Sequence, residues 1–89
     1  MDIKIIRAKI LFNLSRHRKW GNSHTAIDKL KRGISPKYHY LVKKVSEELI
    51  KENLLFRKPT GYGIHVSLNH EKAQEIKSII FNYLNKKVD

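Results

Sequence analysis

ISPKYHYLVKKVSEELIKEN, residues 34–53, reads as one helix with two unlike ends. Ser35 can cap its start, and Pro36 fits the first helical turn, where a missing N–H costs nothing. Tyr38, Leu41, Val45 and Leu49 recur at the spacing of a buried helical stripe. The first half carries Lys37, His39, Tyr40, Lys43 and Lys44, and the second half Glu47, Glu48 and Glu52. A helix seated along one stripe, basic at the end it presents and acidic behind, suits insertion into a DNA groove.

Upstream, Asn22 or Ser23 can cap a short helix over 24–32, with Ala26, Ile27 and Leu30 on its apolar side. Lys29, Lys31 and Arg32 fall near its C-terminus, where positive charge suits the helix dipole. Gly33 offers the left-handed conformation that ends a helix, and Ile34 follows as a buried turn residue. Two helices joined by a tight glycine turn, the second basic at its start, form a helix-turn-helix pattern.

Downstream, Leu54–Leu68 reads as a β-hairpin. Leu54 and Phe56 alternate with Leu55 and Arg57, and Ile64, Val66 and Leu68 alternate with His65 and Ser67. Lys58–Gly63, KPTGYG, holds a proline and two glycines and marks the turn. TGYG, residues 60–63, lacks the lysine and following helix of a nucleotide-binding loop.

The flanks supply two more helices. Residues 2–15 place Ile3, Ile6, Ile10 and Leu14 on one stripe and Ile5, Ala8 and Phe12 on the opposite side. Such a helix needs two partners: its own core and either a second subunit or further cover from the same domain. Ser15–Ser23 is a polar connector holding Arg16, His17, Arg18 and Lys19, with Trp20 as a lid over the core. Asn69 or His70 can cap a last helix running to about Lys86. Ala73, Ile76, Ile80, Tyr83 and Leu84 form its inward stripe, and Phe81 and Val88 widen the apolar arc. The apolar surplus on the first and last helices points to a homodimer formed through them.

At 89 residues the chain makes one domain, 1–89, with a modest core. Nineteen Lys and Arg against eight Asp and Glu give a formal charge of +11. Placement sharpens this. Between Ile3 and Ser46 the only acid is Asp28, among twelve Lys and Arg. The asymmetry predicts one positive face aimed at a polyanion. With no cysteine there is no disulfide and no thiolate metal site. The five histidines, His17, His24, His39, His65 and His70, lack zinc-ligand spacing, so no metal or cofactor is expected. Paired carboxylates in a cleft and a nucleophile with a base are both missing, so no enzyme is expected. No long apolar run or secretory leader pattern is present, and a cytoplasmic, nucleoid-associated location is expected.

GISPKYHYLVKKVSEELIKENLL followed by FRKPTGYGIHVSLN carries a family likeness. The chain resembles the winged helix-turn-helix family of small archaeal and bacterial one-domain DNA-binding regulators, including the MarR-like group, over roughly residues 6–84. The resemblance rests on the Ser-Pro start, the Leu41, Val45 and Leu49 stripe, and the KENLL exit into the wing. It implies an α+β, mainly α fold in the order α-α-α-β-β-α. By position it implies that Pro36, Lys37, His39, Tyr40, Lys43 and Lys44 meet the major groove or its rims, with Ser35 at the helix start. Arg57, Lys58, Thr60 and Tyr62 would form the wing, and Ser23, His24 and Thr25 would bond phosphate at the start of the second helix. The expected partner is double-stranded DNA, bound by a transcriptional regulator. The alternatives are a sequence-tolerant chromosome-coating protein and a protein-interaction module of the same fold.

Overall fold

A computed structural model describes residues 2–88. Its first helix, α1 (Ile3–Arg16), starts where the Asp2 carboxylate accepts the Lys4 N–H at 2.9 Å. Ile6, Ala8, Ile10, Leu11 and Leu14 are all buried. The helix is covered by two later helices, α2 (Tyr40–Lys51) and α3 (Ala73–Leu84), and by the sheet. On its second apolar side Ala8 is buried, and Ile5 and Phe12 are half-buried. Only Ile3 stays exposed among its large apolar residues.

The segment expected as a helix over 24–32 folds otherwise. Thr25–Ala26 forms a short strand, β1, and Ile27–Lys31 a 3₁₀ turn. The order is α-β-α-β-β-α, not α-α-α-β-β-α. Nine residues are too few to hold a helix without tertiary support, and only Leu30 here is fully buried. The neighbouring strand offers an open edge instead: Thr25 pairs with Val66 and Ala26 with His65, antiparallel. Thr25, β-branched, suits that pairing.

α2 also starts later than expected. Pro36–Tyr38 forms a 3₁₀ turn, and Ser35 makes no side-chain cap. A 3₁₀ turn has fewer residues per turn than an α-helix, so the phase of the stripe shifts. Val42, Val45, Ser46 and Leu49 are buried, whereas Leu41 and Tyr38 are half-buried. The loop before α2 is clamped at three successive carbonyls. Asn13 Nδ2 donates to Arg32 O at 2.6 Å, Lys9 Nζ to Gly33 O at 2.9 Å, and His39 Nε2 to Ile34 O at 2.7 Å. Two of the three donors come from α1, so the first helix aims the start of α2.

The strands of the hairpin run further, and its turn is tighter, than the sequence suggests. β2 (Leu55–Thr60) pairs with β3 (Gly63–Leu68) around a two-residue turn, and Lys58, Pro59 and Thr60 belong to the strand. Sheet order is β1-β3-β2, which leaves β2 at an edge, where proline is tolerated. Leu55, Val66 and Leu68 face the core. Trp20 bridges to Leu68 and rests half-buried on the core. Gly21 follows at φ +58°, and a Cβ there would collide with the His70 imidazole.

One buried side chain joins the later elements. Asn69 Nδ2 donates to Asn53 O at 2.8 Å, and its Oδ1 accepts the Glu71 N–H at 3.0 Å. Asn53, at φ +63°, ends α2, and Glu71 lies in the 3₁₀ turn His70–Lys72 that leads into α3. α3 starts at Ala73 and stops at Leu84, two residues short of the expected end, because Asn85 turns left-handed at φ +53°. Ile76 and Ile80 are its buried residues. Tyr83, expected to point inward, is 42% exposed, and Phe81 is 48% exposed.

Candidate nucleic-acid interface

The basic half of α2 lies beside the hairpin tip. Lys43 lines one cleft with Tyr62, Gly63 and Ile64 of the hairpin and Ala26–Asp28 from the β1 end. The acidic half lies beside the hairpin base, where Glu47, Ile50 and Lys51 share a groove with Arg57. This follows from sequence. One face of α2 runs Lys43, Glu47, Ile50, and the strand beside it runs from Leu55 toward Thr60.

Within this frame the expected residues divide. Lys37, Lys43 and Lys44 are exposed. Lys37 Nζ lies 5.2 Å from the centroid of the Tyr38 ring. Tyr40 is 75% exposed and Tyr62 99%, so each presents its ring and hydroxyl to solvent. Ser35 and Pro36 are exposed at the 3₁₀ turn that precedes α2.

Others are already engaged by the fold. His39 holds the Ile34 carbonyl and is half-buried. Thr60 Oγ1 donates to Gly63 O at 2.8 Å and accepts the Tyr62 N–H at 3.1 Å, which pins the turn. Arg57 sits next to Glu47, away from the tip. Lys58 is half-buried and stands opposite His65 in the ladder.

Ser23, His24 and Thr25 do not open a helix, so they offer no row of free helical N–H groups. Ser23 N donates to Trp20 O at 3.0 Å, and Thr25 is paired in β1. His24 meets His65 edge-on, with the two Nδ1 atoms 2.9 Å apart.

Sequence reasoning overlooked Lys9 and Asn13. Both belong to α1 and act on the α2 start through backbone carbonyls far along the chain. No periodicity marks such a contact. The acids behind the basic face are partly tied: Arg7 Nη1 reaches both Glu52 oxygens, at 2.8 and 3.2 Å, and fixes the far end of α2 to α1. The described residues contain no cluster of three or more metal-ligand side chains, and no helix long and apolar enough to cross a membrane.

No family model matches the chain, and no match emerges among curated proteins or solved structures.

Proposed function

We propose that this domain is a winged-helix protein that binds double-stranded DNA, with sequence preference, as a transcriptional regulator. The observation that carries the reading is the cleft where Lys43 of α2 meets the hairpin tip at Tyr62–Ile64. A helix N-terminal half and a hairpin tip on one side can straddle a groove and its flanking backbone. In this reading Lys37, Lys43 and Lys44 neutralise phosphates as mobile point charges. Tyr40 is the candidate for a base edge, and Tyr62 touches the flank. His39, Thr60 and Arg57 shape the surface more than they contact DNA.

Lys43→Ala with Lys44→Ala is expected to weaken duplex binding and to lower the salt slope of the binding constant by up to about two. Binding measured across a salt series reads both quantities. Unchanged affinity and slope would reject this face.

A sequence-tolerant coating role is favoured by one observation. α2 presents no arginine, and its histidine neighbour is held by the Ile34 carbonyl, so few bidentate base contacts are available. Selection of bound duplexes from a random pool separates the two. An enriched palindrome supports a specific dimer, and a flat pool supports coating.

A further inference from the structure

A second cationic feature lies away from the α2 cleft. Between the end of α1, β1 and the 3₁₀ turn Ile27–Lys31 is a pocket of about 230 Å³. Leu14 and Leu30, each 1% exposed, give it an apolar lining. Lys19, Lys29 and Arg32 line it as well, and Asn13, His17 and Thr25 add further polar groups. No aspartate or glutamate is among the lining residues. Among the described residues, the Lys19, Lys29 and Arg32 side chains enter no ion pair or hydrogen bond. The adjacent acid, Asp28, lies 3.9 Å from Lys31 and lines the cleft beside Lys43 instead.

Three uncompensated cations around one concavity repel each other, and the concave wall focuses their field. An anion relieves that repulsion. A single carboxylate would offset one charge of three. A phosphate monoester carries up to about two charges and three terminal oxygens. Those oxygens suit the arginine fork, two mobile ammonium groups and a threonine hydroxyl. The volume is small for a ligand pocket, below about 300 Å³. The apolar pair leaves room for only a small organic group behind the phosphate.

We propose that this pocket binds a phosphate group carried by a small molecule. The site shares only Thr25 with the DNA residues considered above, and it stands whether or not the chain binds DNA.

The test is an amide NMR titration of the whole chain at fixed ionic strength, with inorganic phosphate and phenyl phosphate as probes. Saturable shifts at Asn13, Thr25, Lys29 and Leu30 at about millimolar probe are expected, stronger with phenyl phosphate. Lys29→Gln with Arg32→Gln should weaken binding about tenfold or more. Both side chains are exposed, so the rest of the spectrum should hold. Lys72→Gln with Lys77→Gln removes the same charge from the α3 region and should leave the titration unchanged. Shifts that never saturate, or equal weakening by both pairs, would overturn the site. A short duplex then identifies the source of the phosphate. Pocket signals that keep phenyl phosphate while duplex binds support a small-molecule site. Displacement by duplex assigns the seat to the DNA backbone and overturns the small-molecule assignment. Phenyl phosphate binding in a chain that binds no duplex supports the pocket and counts only against the DNA reading.

Discussion

Asn69 and Ser46 are both buried and polar, and they differ in what they meet. Asn69 fixes the end of α2 and the turn into α3 through donor and acceptor alike. The Ser46 hydroxyl, on α2, has no hydrogen-bond partner among the described residues. Removing a partner strands the groups it satisfied at a cost of about 1–3 kcal/mol, whereas removing an unsatisfied hydroxyl costs little or helps. Asn69→Ala is therefore expected to destabilise by about 1–3 kcal/mol. Ser46→Ala is expected to be neutral or stabilising by up to about 1 kcal/mol, helped by alanine's helix propensity. Urea unfolding of both variants checks the opposite signs. Asn69 was readable from sequence as a helix cap, because caps are local. Its second bond, to the Asn53 carbonyl, was not, since it depends on β2 and β3 returning the chain to the end of α2. The His39 bond to the Ile34 carbonyl is equally invisible locally, because that carbonyl lies in a bend held by α1.

Among the elements, those with their own strong pattern were legible and the short ones were not. α1, α2, the hairpin and α3 all stand near their expected places, with ends moved by a 3₁₀ turn or a left-handed asparagine. The failure was 24–32, where apolar spacing fits a helix and the free edge of β3 made a better partner. Edge pairing is a tertiary effect, invisible to a local pattern. Much of the apolar surplus on α1 packs against α2 and α3, and the largest exposed apolar side chains of the two helices proposed for a homodimer are Phe81 and Tyr83 on α3. Phe81→Lys with Tyr83→Lys is expected to abolish self-association with little loss of fold stability. Light scattering at micromolar concentration reads the mass. A wild-type chain that is monomeric there, or a variant that keeps its dimer, removes α3 as the interface.

For the whole molecule, placement of charge matters more than its total. The net charge of +11 was plain in the sequence, as was the acid-poor stretch from Ile3 to Ser46. What folding adds is division. Lys43 goes to the cleft at the hairpin tip, while Lys19, Lys29 and Arg32 gather around a separate pocket. The linear order interleaves none of this, because the pocket joins the end of α1 to a turn reached only after the polar connector.

β2 carries a further consequence. It is one of the two outer strands of the sheet, so one side of its backbone pairs with no other strand. An unpaired edge strand is a template on which other copies of a chain can join into fibrils. Arg57, Lys58 and Pro59 occupy the middle of that strand. Like charges on neighbouring copies repel, and a proline offers no amide hydrogen to a newcomer. Arg57→Thr, Lys58→Thr and Pro59→Val together should leave a folded domain that forms amyloid-type aggregates at concentrations where wild type stays clear. Thioflavin fluorescence over days would register the difference, and equal solubility would show that the strand needs no such guard.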